Sequence, residues 1–116
     1  MGQGEHFQAI EKANEHNTSV TAATDILTTA LSPLDDKGVS LFRIQVAMDT
    51  AGVFSARVTK SATTVGVDFN SGSALTANAL YQFDLWVHEN DTVNFRHSAN
   101  AIMLLLRVSE VLSLGV

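Results

Sequence analysis

Residues 81–96 read YQFDLWVHENDTVNFR, and the alternation within them decides the fold class. Apolar Tyr81 and Phe83 are each followed by a polar residue, Gln82 and Asp84. A period of two places successive side chains on opposite faces of an extended strand, so that one face is buried and the other is solvated. The stretch therefore predicts two half-buried strands joined by a turn.

The same alternation extends outward along the chain. It recurs in residues 42–48, 54–59, 65–69 and 101–111, with turn-forming residues between these segments. Segments 42–48 and 54–59 flank the turn sequence DTAG and predict a β-hairpin. Residues 20–31 alternate poorly and predict one strand or two short ones. Six to eight strands without a long helix predict an all-β fold, an antiparallel β-sandwich, with a barrel as the alternative.

The first eighteen residues differ in composition from the rest and are rich in Glu, His and Asn. Phe7, Ile10 and Ala13 would share one face of a helix. A helix of this length is not stable alone and needs a surface to dock on. We therefore predict an N-terminal arm or short helix in residues 1–18, whose Phe7 and Ile10 contact a partner, and a β-sandwich domain in residues 19–116.

The last predicted strand, residues 101–111, is apolar on both faces over its first half. The residues of the predicted core face are Ile102, Leu104, Leu106 and Val108. Met103 and Leu105 lie on the other face, and Leu112 and Leu114 extend the apolar surface. A strand that is apolar on both faces needs a cover, either a symmetric partner or a loop or arm of the same chain. The pattern favours an oligomer interface formed by Met103, Leu105, Leu112 and Leu114.

The composition of the 116-residue chain limits the function classes. Hydrophobic residues make up 46% and charged residues only 16%, so part of the surface is neutral or apolar. A net charge of -5, with seven scattered basic residues, argues against nucleic-acid binding. The absence of cysteine excludes disulfides and thiolate chemistry. The apolar run at residues 101–106 is far shorter than the roughly 20 residues of a membrane span, and residues 1–17 lack the apolar segment of a signal peptide.

Side chains with catalytic or metal-binding potential form no recognisable motif. The sequence contains neither a G-x-S-x-G elbow nor a glycine-rich nucleotide loop. His88 and His97 are weak metal-ligand candidates, because a hairpin over residues 85–96 would bring them together. The alternative is that both are polar residues at the rim of the hairpin. We therefore predict a non-enzymatic protein without a cofactor.

Trp86 provides the one binding argument in the sequence. The alternation places it on the solvent face of its strand, with Asp84 and Gln82. An exposed Trp beside polar groups can stack on a sugar ring, and Trp is also enriched at the centres of protein interfaces. We predict that Trp86 belongs to the oligomer interface, with glycan binding by Trp86, Asp84 and Gln82 as the alternative.

Residues 70–111, NSGSALTANALYQFDLWVHENDTVNFRHSANAIMLLLRVSEV, combine these strands and turns in one stretch. This stretch resembles small jelly-roll proteins of virions, especially the decoration and minor structural proteins of tailed bacteriophages and similar viruses. The resemblance implies a jelly-roll-like sandwich that forms a homo-oligomer, often a trimer, on the capsid surface. It also implies a stabilising function, in which subunit burial and the N-terminal arm clamp the capsid protein lattice. A carbohydrate- or receptor-binding module remains the alternative.

Overall fold

The computed structural model describes residues 6–34 and 38–115, with side chains for residues 9–34 and 38–111. Seven strands and one short turn of 3-10 helix, Asn70–Gly72, make up the elements of these residues. The strands are β1 (His6–Val20), β2 (Val39–Met48), β3 (Phe54–Lys60), β4 (Thr63–Asp68), β5 (Tyr81–His88), β6 (Asp91–His97) and β7 (Ala101–Gly115). No helix within these ranges has the length and apolar character needed to cross a membrane.

The strands form two antiparallel sheets. The four-stranded sheet has the order β1-β7-β2-β5, and the three-stranded sheet has the order β4-β3-β6. The predicted all-β fold class is confirmed, and the two sheets are compatible with a β-sandwich.

The core lies between the two sheets and is built by the alternation that the sequence displays. The fully buried side chains on strands that the sequence predicted to have an inward face are Phe42, Ile44, Val46, Met48, Phe54, Ala56, Val87, Val93 and Phe95. Four aromatic rings form a stack across the core, with Phe54 5.5 Å from Phe95 and 5.6 Å from Phe69, and Phe69 4.7 Å from Phe83. Stacked rings at these distances add to the free energy that their buried area contributes.

The predicted hairpin of residues 42–48 and 54–59 is wrong. β2 belongs to the four-stranded sheet and β3 to the three-stranded sheet, so the connection between them passes from one sheet to the other. Each of the two strands has one apolar face, and placing them in opposite sheets lets those faces meet. A hydrogen bond fixes this connection, since the Gly52 carbonyl accepts the Leu75 N–H at 2.7 Å.

From His6 onward the N-terminal segment is a strand, so the short helix predicted for it is wrong. β1 pairs with β7 from His6 opposite Gly115 to Val20 opposite Ala101. The long edge of β7 offers hydrogen-bond partners to the whole segment, which an isolated short helix lacks. Ile10 lies half-buried opposite Glu110, and the side chain of Phe7 lies outside the described side chains. A partner contact by these two residues stays a prediction.

The segment after β1 is irregular and does not form the predicted strands. Its backbone nevertheless follows β6, through hydrogen bonds from the N–H of Ala23, Ile26 and Leu31 to carbonyls of that strand at 2.8–2.9 Å. Asn94 on β6 also bonds the backbone N–H and carbonyl of Leu27, both at 2.9 Å. Asn94 falls on the polar side of the alternation in β6, yet these bonds hold it buried against the segment.

A register shift in β7 changes which of its residues face the core. Met48 lies opposite Met103 while Ala47 lies opposite Leu105, so Leu104 is an extra residue relative to β2. A β-bulge of this kind reverses the inward and outward sides of the strand. Met103 is consequently fully buried, and the prediction that it lies on the outer face is wrong.

β7 also buries a charged side chain, which the alternation of the sequence did not single out. Glu110 has no solvent exposure, and its carboxylate lies 3.4 Å from the Lys12 ammonium. Both of its oxygens accept the Leu34 N–H, at 2.9 and 3.0 Å. Lys12 reaches this position from a second bulge, between Glu11 and Ala13 of β1.

Candidate binding surface on the four-stranded sheet

The outer face of the four-stranded sheet has an apolar row at one end. Trp86 on β5 lies opposite Leu41 on β2, which lies opposite Val111 on β7, and Val111 lies opposite Ala9 on β1. We call these four residues the apolar row. Cross-strand neighbours of this kind contact each other on one face of a sheet. The row therefore forms a continuous apolar strip across all four strands.

Trp86 is the most exposed large apolar side chain in the described part of the protein, at 65%. Its outward position confirms the alternation of β5, whose Tyr81, Phe83 and Leu85 pack against the core. A large exposed aromatic side chain in an apolar strip is a typical feature of binding surfaces.

The second row of the face carries an ion pair. The Arg43 guanidinium donates to both oxygens of Asp84, at 3.0 and 3.2 Å. The hydrogen bond to Asp84, and then the negative charge of that carboxylate, raise the pKa of Arg43 above its ordinary value, against a small opposing effect of burial. Both side chains are 44% exposed, so the pair contributes little to stability, but it holds Asp84 beside Trp86.

The third row is polar but uncharged over most of its length. Gln45 donates to Gln82 at 3.3 Å, and Arg107 donates to Asn14 at 3.4 Å. The predicted glycan-binding residues Trp86, Asp84 and Gln82 therefore do lie together on one exposed face, although two of them already have side-chain partners.

Of the predicted interface residues of β7, Met103 and Leu105 do not lie beside Trp86. Leu105 lies half-buried on the outer face, opposite Ala47 and His16. Ala47 is six residues from Leu41 on β2, and six residues of strand span about 20 Å, so Leu105 and Trp86 belong to separate parts of the face. Met103 is in the core, and the side chains of Leu112 and Leu114 lie outside the described set.

A second uncovered apolar feature lies on β4. Val65 and Val67 pair with Val58 and Ala56, so they share the inward side of the three-stranded sheet. They are nevertheless 55% and 44% exposed, because no strand of the other sheet covers them. Sequence reasoning identified β4 as a strand but had no signal that its inward side would stay open.

The candidate metal ligands are not brought together. β5 and β6 belong to different sheets, so the hairpin that would join His88 to His97 is absent. His88 is exposed, whereas His97 is fully buried with Nε2 2.9 Å from the Thr50 carbonyl oxygen. Among the side chains of residues 9–34 and 38–111, no three His, Asp or Glu groups are placed to hold a metal ion.

The ring of His97 occupies its buried place because Gly52 has no side chain. A Cβ at Gly52 would lie 2.7 Å from the His97 Nε2 atom. The histidine that the sequence offered as a ligand is thus part of the packing where β2 crosses to β3.

Comparison of the chain with models of known protein families and with curated protein sequences found no match.

Proposed function

We propose that this chain is a non-enzymatic virion structural protein, an oligomeric capsid decoration or stabilising protein that binds the particle surface through subunit contacts and its N-terminal segment. The observation that carries the proposal is the apolar row with its exposed Trp86. A strip of this kind in a small protein with few charged residues favours burial against another protein surface.

The strand order supports a jelly-roll arrangement. The order β1-β7-β2-β5 faces the order β4-β3-β6, and residues 23–31 follow the free edge of β6 in the place of an eighth strand. Jelly rolls, which occur in viral capsid proteins, have eight strands in two facing sheets, and the seven strands together with this segment approach that arrangement.

The open side of β4 supports the oligomeric part of the proposal. Val65 and Val67 have a core-facing orientation, and the described residues of the chain leave them without a cover. A second copy is the partner that we propose for them, since a symmetric homo-oligomer is the commonest way to bury such a surface, and the resemblance to virion proteins favours a trimer. Association of the subunits buries Val65, Val67 and the apolar row. Binding of the oligomer to the assembled capsid lattice then stabilises that lattice by mass action.

β1 supports the role of the N-terminal segment. It forms one edge of the four-stranded sheet, and its fifteen residues leave a long row of backbone groups without a strand on that side. An exposed strand edge is a template for pairing with another chain. We propose that this edge contacts the capsid protein.

Light scattering coupled to size-exclusion chromatography tests the oligomer. We expect a mass of three chains at micromolar concentration, and Trp86→Ser should shift it toward one chain while Gln82→Ser, on the same face, should not. The only tryptophan of the chain also gives a direct signal, because burial of Trp86 in an interface should shift its emission to the blue. A monomer at all concentrations would overturn the oligomeric part of the proposal.

A carbohydrate- or receptor-binding module is the second candidate function, favoured by the placement of Asp84 and Gln82 beside Trp86. Titration of the folded protein with a panel of glycans, followed by Trp86 emission, tests it. Neither Trp86→Phe nor Trp86→Ser contains a tryptophan, so binding to these variants is measured by calorimetry. Saturable binding that Trp86→Phe preserves and Trp86→Ser abolishes would support stacking on a sugar. Flat titrations across the panel would exclude it.

A further inference from the structure

The outer face of the three-stranded sheet is polar, and an arginine stands at its centre. Arg57 on β3 pairs with Gly66 on β4 and with Asn94 on β6. The side chain lies across Gly66, since a Cβ at that position would be 3.1 Å from the Arg57 Nη1 atom. The glycine therefore makes room for the guanidinium against the sheet.

Arg57 differs from the other partly buried basic side chains in forming no ion pair with a carboxylate of the described residues. The ion pairs among the described residues join Lys12 to Glu110, Arg43 to Asp84 and Arg96 to Asp25. The Arg57 Nε atom is buried and has no hydrogen-bond partner within the described part of the chain. A buried donor without an acceptor carries a free-energy cost that a bound acceptor would relieve at the guanidinium.

A cavity of about 130 Å³ adjoins Arg57, between the sheet and the segment after β1. Its lining includes Arg96 and three threonines, Thr59, Thr64 and Thr92. The Thr59 and Thr64 oxygens lie 2.7 Å apart, so one of the two hydroxyls donates to the other. The other hydroxyl of that pair keeps a proton that this bond does not use.

The charges around the cavity select a ligand with a single negative charge. Arg57 and Arg96 contribute two positive charges, and Asp25, the one acidic side chain that the described residues place in the lining, contributes one negative charge. Asp25 is bound to the Arg96 Nε at 2.8 Å, so its charge is already partly compensated. Asp68 lies nearby on the same face and disfavours a ligand with two negative charges.

We propose that this cavity binds one carboxylate group, with Arg57 as its main ligand and the threonine hydroxyls as additional donors. A planar guanidinium binds a carboxylate through two parallel hydrogen bonds, which matches the chemistry of the cavity. The carboxylate belongs either to a small free acid or to a Glu or Asp side chain of a partner protein. The site is on the opposite sheet from the apolar row and does not depend on the proposed oligomer.

Side-chain NMR of ¹⁵N-labelled full-length protein, titrated with acetate against chloride of matched ionic strength, tests the proposal. The chain has four arginines, so their Nε–H signals are few enough to be assigned by substitution. We expect the Arg57 signal to shift along a saturable curve. The Arg43 signal, whose guanidinium is already paired with Asp84, should stay unchanged.

Two variants and one control locate the effect. Arg57→Gln should weaken acetate binding by about tenfold or more, because it removes the charged donor. Gly66→Ala keeps the charge but displaces the guanidinium and should also weaken binding, read from the threonine and Asn94 amide signals. Arg43→Gln is the matched control on the other sheet and should bind acetate like the wild type. Circular dichroism of each variant reports whether it folds. If Arg57→Gln does not fold, Gly66→Ala still provides the test.

The same titration distinguishes the sources of the carboxylate. A glutamate blocked at both ends that binds about tenfold more tightly than acetate assigns the site to a partner's acidic side chain, and equal affinities assign it to a small free acid. Linear shifts without saturation, saturation that persists in both Arg57→Gln and Gly66→Ala, or inorganic phosphate binding more tightly than acetate would each overturn the proposal.

Discussion

The inner and outer faces of the four-stranded sheet carry the same kind of ion pair in opposite surroundings. On the inner face the Glu110 carboxylate is fully buried and is bonded by Lys12 and by the Leu34 N–H. On the outer face the Asp84 carboxylate is 44% exposed and is bonded by Arg43. Both carboxylates have a basic partner within 3.4 Å.

The difference separates the part of the sheet that fixes the fold from the part that is available for recognition. A buried pair that loses one partner leaves an uncompensated charge in a medium of low polarity, which is costly. An exposed pair loses only a weak, screened attraction. The inner pair therefore ties β7, the bulge of β1 and the Leu34 loop together, while the outer pair orients polar groups beside Trp86.

The largest expected effect comes from breaking the inner pair. Glu110→Ala should lower the free energy of unfolding by about 3–5 kcal/mol, because it leaves the Lys12 ammonium and the Leu34 N–H without their partner. Urea unfolding followed by circular dichroism measures the change. Glu110→Gln keeps an acceptor for the Leu34 N–H and should cost less than Glu110→Ala.

The matched variant on the outer face is Asp84→Ala. It should leave the urea midpoint almost unchanged, because the pair that it breaks is exposed to solvent. Equal losses for Asp84→Ala and Glu110→Ala would show that the two faces do not differ in the way we describe.

A comparison of two alanine variants tests which side chains of β7 face the core. Met103→Ala should cost about 2–5 kcal/mol, as for other fully buried side chains, and Leu105→Ala should cost clearly less because that side chain is half-buried on the outer face. Urea unfolding of the two variants measures both values. The reverse order would place Leu105 in the core and remove the bulge at Leu104.

The inner faces of β2, β5 and β6 could be predicted from the sequence, because their apolar residues keep a strict period of two. β7 could not, because an inserted residue such as Leu104 has no local sequence signal and changes the facing of its neighbours. The same limit applies to Lys12, whose bulge brings it to Glu110. The outward position of Trp86 followed from β5 alone, whereas the apolar row depends on a register across four strands that alternation does not specify.

A smaller effect on folding, but a distinct effect on association, is expected at Trp86. Trp86→Ser should change the free energy of unfolding of the single chain by no more than about 0.5 kcal/mol, since an exposed side chain makes few contacts. The measurement is urea unfolding at a concentration where the chain is monomeric, beside light scattering at a higher concentration. A large loss of stability with unchanged association would instead make Trp86 a structural residue of its own sheet.

The smallest expected effect lies at Tyr81, on the boundary between the two faces. Its ring stacks on Phe83 at 6.0 Å, while its hydroxyl accepts the Thr76 N–H at 2.8 Å. Hydrogen bonding by the Thr76 side chain, and then by its backbone N–H, lowers the pKa of Tyr81 because it stabilises the phenolate. An acid whose pKa is lower in the folded chain stabilises the fold above its unfolded pKa, and this stabilisation is lost as the pH falls through the folded pKa.

Tyr81 is the only tyrosine, so phenolate absorbance reports it directly, and we expect a lower titration midpoint in the folded chain than in the urea-unfolded chain. Identical midpoints would mean that the Tyr81 hydroxyl lies in solvent and is not bonded to Thr76.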